Sequence, residues 1–187
     1  MVADARQRMV QSAARLFRRH GYHAVGFRRI IDESGAPRGS IYHHFPGGKQ
    51  QLGVEAVRLS GAALIRQVRR VAGEEAEVAA ALELLGEQLA DLLEASDYAD
   101  GCPVATVALE CSSGPASVAQ ACRDVLREWV GVLAARLVEE GWEAEAAHRF
   151  SVTIVAAFEG ALLMAKAERD TAPVRTVAAE LAMRAAA

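Results

Sequence analysis

The sequence has few of the signals that predict β-strands, membrane segments or export. No segment alternates polar and apolar residues with β-branched side chains over the length of a strand, so an extensive sheet is not expected. No apolar run reaches about 18 residues without a charge, which argues against a membrane-spanning helix. The first residues, MVADARQR, lack the apolar core of a signal peptide. These absences predict a soluble cytoplasmic protein that has no membrane partner.

Cysteine is scarce, and no metal-binding pattern is present. Cys102, Cys111 and Cys122 are an odd number without C-x-x-C spacing, so we interpret them as buried reduced thiols rather than as a disulfide or a zinc site. His43 and His44 are adjacent, and neighbouring helical residues point about 100° apart. No nearby acid or cysteine completes a site around them. We therefore predict no metal and no cofactor.

The motifs of common enzymes are also missing. The sequence contains no G-x-S-x-G, no H-E-x-x-H and no phosphate-cradling glycine loop. Four of the five histidines lie in the first 44 residues, and only His148 shares a part of the chain with the cysteines. A nucleophile and a base are therefore not expected to converge, and we predict no catalytic residue and no enzymatic activity.

Helix-forming residues dominate the 187-residue chain. Hydrophobic residues make up 52% and charged residues 24%, which supplies a packed core and predicts order rather than disorder. Glycine and proline fall mainly between periodic segments rich in Ala, Leu, Glu and Arg, so we predict an all-α fold. The predicted helices cover residues 4–20, 27–34, 37–43, 49–71, 75–95, 103–111, 115–140, 143–168 and 172–185.

Charge divides the chain into a basic head and an acidic body. Residues 1–50 contain nine Lys or Arg and three acids, a net charge of +6, whereas the remainder contains 12 bases and 21 acids, a net charge of −9. A basic end on an otherwise acidic protein is typical of a protein that binds a polyanion through that end. We accordingly predict two domains, residues 1–48 and residues 49–187.

The segment Phe27–Leu52, FRRIIDESGAPRGSIYHHFPGGKQQL, contains two short helical patterns separated by a Gly-Ala-Pro break. Such a pair predicts a helix-turn-helix, whose second helix enters the major groove of DNA. In the second helix only Ile41 and Phe45 are strong apolar residues, and we predict that they hold it against the core. The helix over residues 4–20 braces this pair and completes a three-helix DNA-binding head.

Polar residues of this segment have different predicted roles in DNA binding. Arg38 begins the second helix, and an arginine pairs bidentately with guanine O6 and N7. Lys49 lies at the start of the next helix, where a positive charge is unfavourable unless a phosphate is near; an ordinary solvated lysine is the alternative. The predicted DNA-binding residues are Arg28, Arg29, Arg38, Gly39, Ser40, Tyr42, His43 and Lys49.

The segment Ala13–Leu52 resembles the N-terminal part of TetR-family transcriptional regulators. It reads AARLFRRHGYHAVGFRRIIDESGAPRGSIYHHFPGGKQQL, with LF…GY, an I-x-x-x-x-G turn, G-S-x-Y-H-H-F and a lysine at the next helix. The segment Gly101–Glu110, GCPVATVALE, and the PGGK turn resemble the LmrA/YxaF-type branch of that family. Val25 and Gly26 depart from the threonine usual at this helix start, so the phosphate contact of such a residue is not carried over.

The resemblance implies a homodimer whose heads bind a palindromic operator in double-stranded DNA, and whose C-terminal helical bodies form a ligand pocket and the dimer interface. Residues 156–162 are apolar on more than one side, which also favours a dimer, because such a helix must bury two faces. The predicted dimer-interface residues are Phe158, Ala161, Leu162, Val174, Val177 and Leu181. The candidate pocket residues for a small apolar ligand are Leu89, Leu93, Cys102, Thr106, Glu110, Trp129, Phe158 and Met164; ordinary core packing is the alternative for each of them.

These observations predict an all-α DNA-binding transcriptional regulator with an N-terminal helix-turn-helix head and a C-terminal helical bundle for ligand binding and dimerisation. The leading hypothesis is a repressor that a small-molecule ligand releases from its operator. The alternative is a DNA-binding protein whose body binds a protein partner or no ligand at all.

Overall fold

The structure is a computed structural model that describes residues 4–37, 39–74, 77–112 and 114–186. Every regular element in these residues is an α-helix, which confirms the predicted all-α fold. The helices are α1 (Ala5–His20), α2 (Phe27–Ser34), α3 (Ile41–His44), α4 (Gly48–Glu74), α5 (Val78–Ala95), α6 (Pro103–Cys111), α7 (Ala116–Glu139), α8 (Ala144–Glu168) and α9 (Ala172–Ala185).

Helix α1 has a capping residue at each end and one buried apolar face. The side chain of Asp4 accepts a hydrogen bond from the backbone N–H of Gln7 at 2.8 Å, which satisfies one of the free donors of the first turn. Met9, Ala13 and Phe17 recur along the buried face at four-residue spacing. Gly21 ends the helix at φ +79°, and its N–H donates to the carbonyl of Phe17. The packing of α1 against α2 and α6 follows from this face.

The second helix of the helix-turn-helix begins later than predicted. The sequence placed its start near Pro37, but α3 begins at Ile41. Both the backbone N–H and the hydroxyl of Ser40 donate to the carbonyl of Pro37, at 3.0 and 2.7 Å, and this turn precedes the helix. Arg38 lies outside the described residues. Ile41 and Phe45 are fully buried, which confirms their predicted role as anchors.

The turn between α2 and α3 follows the expected chemistry. Gly26 precedes α2 without a side-chain hydrogen bond, so this helix start has no side-chain cap. Gly35 ends α2 in the left-handed conformation, at φ +62° and ψ +22°. A residue with a Cβ is disfavoured there, and glycine is the usual solution at a helix C-terminus.

The chain packs as two compact units that share α4 and α7. The first unit comprises Met1–Ala62 and Cys102–Val125, and the second comprises Ala63–Gly101 and Leu126–Ala187. The first unit thus contains the basic head together with α6 and the beginning of α7. The units describe packing, whereas the predicted division after residue 48 concerns what each segment binds. That division therefore stays a prediction.

The core of the second unit is formed mainly by α5, α8 and α9. Leu82 of α5, Ile154 and Phe158 of α8 and Val174 of α9 are buried in one apolar cluster. The ring of Trp142 stacks on Phe150 at a centroid distance of 5.1 Å. These contacts place the C-terminal helices in a bundle around a shared apolar core.

Helix α8 has two apolar sides. One side is buried in the core of the second unit, and the other is exposed along Val152, Ala156, Gly160, Leu163 and Met164. By length and composition alone α8 is apolar enough to cross a membrane, a test that core helices of soluble proteins also pass, so the expectation of no membrane-spanning helix stays a prediction. The buried side in the core and the exposed apolar stripe together account for this apolarity.

Candidate nucleic-acid interface

The exposed surface of α2 and α3 carries four of the eight residues predicted to contact DNA. Arg28 and Arg29 are exposed in the first turn of α2. Tyr42 and His43 are exposed on α3, and the side chain of Tyr42 is 69% accessible to solvent. The structure therefore brings two cations, a phenol and an imidazole to the surface of one helix-turn-helix. This combination suits phosphate and base-edge contacts.

Tyr42 is oriented by an aromatic contact with the preceding helix. Its ring meets that of Phe27 edge to face, with centroids 5.6 Å apart and an interplanar angle of 81°. Such pairs contribute about 0.5–1.5 kcal/mol beyond the area they bury. The contact joins the start of α2 to α3, so the exposed tyrosine ring is held by a neighbouring element rather than by its own short helix.

Arg29 and Ser40 already have intramolecular partners. The guanidinium of Arg29 lies 2.6 Å from Nε2 of His20, which accepts the hydrogen bond when that nitrogen carries no proton. The hydroxyl of Ser40 donates to Pro37 and keeps only its lone pairs for a ligand. Gly39 is exposed beside it. A DNA contact by Arg29 would therefore replace or share an existing hydrogen bond.

Lys49 lies against the loop that joins α1 to α2. Its Nζ is 4.4 Å from the ring centroid of Tyr22 and 3.5 Å from the carbonyl oxygen of His23. Burial lowers the pKa of Lys49, while Glu110 and Cys111 oppose that shift. The ammonium group is thus half-buried, held over an aromatic face and close to an acidic group.

Glu110 is at the same loop, although the sequence suggested a ligand pocket for it. Its Oε2 accepts a hydrogen bond from the backbone N–H of His23 at 2.7 Å. The imidazole Nε2 of His23 lies 3.3 Å from the backbone carbonyl of Glu110. Sequence reasoning missed this arrangement. The available signal was a carboxylate in the last turn of a helix, where the helix dipole disfavours it.

The other predicted pocket residues are divided between the two units. Leu93 and Phe158 belong to the apolar cluster of the second unit, Leu89 packs against that cluster, and Trp129 is buried in the same unit. Met164 is 52% exposed on α8 and so does not line the inside of the unit, contrary to the prediction.

In the first unit, Cys102 and Thr106 have local roles at the start of α6. The sulfur of Cys102 accepts from the backbone N–H of Ala105 at 3.4 Å, and the hydroxyl of Thr106 donates to the carbonyl of Cys102 at 2.8 Å. Cys102 is half-buried, whereas Cys111 and Cys122 are buried, and none of the three forms a disulfide within the residues that the structure describes. The predicted burial is confirmed for Cys111 and Cys122 but is wrong for Cys102, which keeps part of its surface exposed.

Most residues predicted for the dimer interface lie inside the protomer. Phe158, Ala161, Val174 and Leu181 are buried in the core of the second unit. Leu162 and Val177 are partly buried against the same core. The four buried side chains are occupied by intramolecular packing, which corrects their assignment to a surface, whereas the assignment of Leu162 and Val177 stays a prediction. The periodicity of an apolar helix does not say which of two apolar sides faces inward, and the prediction chose the inward side.

Comparison with known proteins gives matches over both parts of the chain. Residues 10–56 match the family described as "Bacterial regulatory proteins, tetR family", and residues 78–180 match "Transcriptional regulator LmrA/YxaF-like, C-terminal domain". The chain is 31% identical to the HTH-type transcriptional regulator YxaF of Bacillus subtilis (strain 168), covering 95% of this chain and 93% of that protein. It is 30% identical to the HTH-type transcriptional regulator LmrA of the same strain, covering 91% of each.

The fold is also similar to solved structures of low sequence identity. The regulatory protein TetR from Rhodobacter sphaeroides aligns with a TM-score of 0.85 and 21% identity, covering 96% of this chain and 97% of that one. At this identity the likeness concerns the fold alone.

Proposed function

The chain belongs to the TetR family of transcriptional regulators, and from this premise we propose that it is a repressor that leaves a palindromic operator when a small molecule binds. TetR-family regulators bind DNA through a helix-turn-helix and are dimers with ligand-binding domains. This chain is accordingly a DNA-binding regulator and not an enzyme. The observation that carries the proposal is the exposed group of Arg28, Arg29, Tyr42 and His43 on the basic end of the chain.

We assign the DNA contacts to two classes. In the sequence, Arg38, Gly39 and Ser40 precede the recognition helix and Tyr42 is its second residue, and we assign them to base edges, which side chains and a closely approaching backbone can read. Arg28, Arg29, His43 and Lys49 provide positive charge or hydrogen-bond donors around it and suit phosphate contacts, which set the register of the protein on DNA. A regulator that works on bacterial DNA acts in the cytoplasm.

For the dimer we propose the exposed side of α8. The apolar stripe of Val152, Ala156, Gly160, Leu163 and Met164 occupies that side, and a Cβ built on Gly160 meets no atom within 4 Å. Glycine inside a helix costs about 1 kcal/mol relative to alanine, and close approach of a second helix would offset this cost. Two-fold symmetry then presents two recognition helices to half-sites about 34 Å or more apart.

For the ligand we propose a small apolar molecule in the second unit. Leu89, Leu93, Trp129 and Phe158 are apolar and lie in that unit. Bundles form ligand sites between facing helices, and such sites are mostly apolar. A ligand there releases DNA only if it binds the DNA-free conformation more tightly than the DNA-bound one.

Selection of bound fragments from genomic DNA with the purified protein tests the proposal. A recovered inverted repeat bound by a dimer supports it, and the absence of any preferred sequence contradicts it. Titration of the operator complex with a panel of apolar compounds then tests the ligand. If no compound weakens the complex, a body that binds a protein partner or no ligand is favoured.

Two substitutions separate the proposed contact classes. Arg38→Ala should cost about 1–3 kcal/mol on the operator and relax sequence preference, because a bidentate base contact is lost. Lys49→Ala should weaken binding to operator and random DNA alike and reduce the salt slope by about one. Binding titrations on both DNAs at several salt concentrations measure these effects. If Arg38→Ala lowers the affinity for operator and random DNA equally, Arg38 does not read base edges.

A further inference from the structure

Glu110 occupies a position in α6 that is unfavourable for an isolated helix. It lies in the last turn, one residue before the helix ends at Cys111. The free carbonyl groups of a helix C-terminus carry partial negative charge, so a carboxylate at this end destabilises the helix. Its presence at this position therefore requires compensating contacts from elsewhere in the fold.

Those contacts come from the loop that joins α1 to α2. The Glu110 carboxylate accepts the backbone N–H of His23, and the His23 imidazole lies against the backbone carbonyl of Glu110. A Cβ on Gly21 would lie 1.7 Å from Oε1 of Glu110, so glycine leaves the space that the carboxylate fills. The Glu110 side chain thus contacts the backbone of His23, and the His23 side chain contacts the backbone of Glu110, although the two residues are 87 positions apart in the sequence.

The same loop contacts the first turn of α4. Lys49 places its ammonium over Tyr22 and close to the carbonyl of His23. Glu110 is also near enough to stabilise the charge of Lys49 electrostatically. The loop precedes α2, and Lys49 follows α3, so these contacts hold both ends of the helix-turn-helix.

We propose that Glu110 is a positioning residue for DNA binding, which holds the α1–α2 loop through the His23 N–H and thereby sets the start of α2 and the location of Lys49. This inference rests on the proposed DNA contacts and adds a residue of α6 to them. Glu110 acts through His23 and Lys49 and needs no contact with DNA.

A negative charge near a DNA-binding surface also repels phosphates, which weakens DNA binding. Positioning and repulsion therefore predict opposite changes in affinity when Glu110 is substituted. Repulsion would make any neutral substitution of Glu110 tighten binding to all DNA. Positioning would make loss of the acceptor weaken binding. In this structure the carboxylate is hydrogen-bonded to a backbone donor and lies near a cation, which favours positioning over repulsion.

Two conservative variants separate the effect of the length of the Glu110 side chain from the effect of its charge. Glu110→Gln keeps the side-chain length and an acceptor oxygen for His23 but removes the charge. Glu110→Asp keeps the charge but shortens the side chain by one methylene, which withdraws the acceptor from a 2.7 Å contact. We expect Glu110→Asp and Glu110→Ala to weaken operator binding ~10-fold. Glu110→Gln should lose less because it keeps the acceptor, and it should still lose some affinity because a hydrogen bond to a charged group is the stronger kind. Glu128→Gln, at an exposed position of α7, is the matched control and should bind as the unaltered protein does.

The salt dependence of binding distinguishes positioning from general instability. If Glu110 places Lys49, the salt slope of Glu110→Ala should fall by about one, as for Lys49→Ala, and the two effects should not add in the double variant. Circular dichroism and thermal melts show that each variant is folded.

Each outcome decides between the alternatives. Unchanged affinity and slope in Glu110→Ala, tighter binding in any variant, or equal loss in the Gln and Asp variants overturns the inference. Failure of the unaltered protein to select a DNA sequence overturns the proposed function itself, and that result is obtained before any variant is made.

Discussion

Among the described residues of the first unit, four ionisable side chains have shifted pKa values, and burial is the leading cause for all four. Burial raises the pKa of Tyr22, Cys111 and Cys122 and lowers that of Lys49. In each case the charged form is disfavoured because it loses hydration. For Lys49 the nearby Glu110 opposes that shift, which keeps a cation next to the proposed DNA surface.

Cys122 has the largest consequence for stability. Burial, reinforced by Cys111, raises its pKa to about 11. The folded protein therefore keeps a proton that the unfolded chain loses above its ordinary pKa of about 8.5. The stability from this group is fully present below that ordinary pKa, and it is lost as pH rises toward the folded-state value.

Urea unfolding of the unaltered protein and of Cys122→Ala at several pH values measures this effect. Between pH 8 and pH 10.5 we expect the free energy of unfolding to fall by about 2 kcal/mol more in the unaltered protein, because one pKa unit corresponds to about 1.4 kcal/mol. Cys102→Ala, at a half-buried thiol, serves as the control and should follow the unaltered protein. Parallel curves for the unaltered protein and Cys122→Ala would contradict the assignment.

Individual residues of the DNA surface could be predicted unequally well from the sequence. Arg28, Arg29, Tyr42 and His43 lie on the exposed side of the helix-turn-helix, as an amphipathic pattern predicts. Glu110 could not be assigned, because its partner His23 is far away in the chain and no local pattern links them. Their contact depends on how α6 packs.

At the scale of helices, glycines decide how closely α4 packs on α7 within the first unit. A Cβ on Gly53 would lie 3.2 Å from Cγ2 of Val118, and a Cβ on Gly61 would lie 2.4 Å from Cγ1 of Val125. Both valines lie on one side of α7, so a glycine faces each of them. The absence of side chains lets the two helices approach closely.

Gly61→Ala should therefore destabilise the protein, although the same change usually stabilises an exposed helix. The helix propensity gain of about 1 kcal/mol is outweighed by overpacking, which costs about 1–3 kcal/mol. Gly131 of α7 is exposed and has no atom within 4 Å of a built Cβ, so Gly131→Ala is the matched control and should stabilise. Chemical denaturation measures both changes, and an equal gain in the two variants would show that α4 and α7 do not pack this tightly.

Helix α3 also shows where local patterns fail. The proline and the polar residues after it were interpreted as a helix from Pro37, yet α3 occupies only Ile41–His44. The turn closed by Ser40 on Pro37 competes with the helix for the same backbone groups. Serine residues favour such turns, so this boundary depended on a side-chain hydrogen bond that periodicity does not report.

For the whole molecule, the charge division and the exposed side of α8 bear on assembly. The basic head favours DNA, while the acidic remainder limits unspecific attraction to it. The exposed apolar side of α8 includes Leu163, which is 68% accessible. An apolar stripe of this kind is typical of a surface that another protein chain covers.

Leu163→Glu tests whether this stripe forms the dimer. A charge at the centre of an apolar interface is buried without a partner, so we expect a monomer and a large loss of operator affinity, measured by sedimentation and DNA titration. Leu109, 77% exposed on α6, provides the control: Leu109→Glu makes the same change at another exposed leucine. Dimers of Leu163→Glu at the concentration of the unaltered protein, or monomers of both variants, would argue against an α8 interface.

The helical class, most helix bounds, the family and the basic end of the chain could all be predicted from the amino-acid sequence. Composition, the period of the apolar residues and the turn residues determine local structure over a few positions, so each can be interpreted without knowledge of the fold. The buried roles of Ile41 and Phe45 followed from the same local pattern.

Which side of α8 faces inward and which residue Glu110 contacts depend on the packing of the helices and could not be predicted. Phe158 and Leu163 are both apolar residues of one helix, but Phe158 is buried while Leu163 is exposed. Glu110 reaches His23 because α6 packs against α1. Burial and long-range hydrogen bonds arise from the packing of separate elements, so a local pattern supports several such arrangements and the fold selects one.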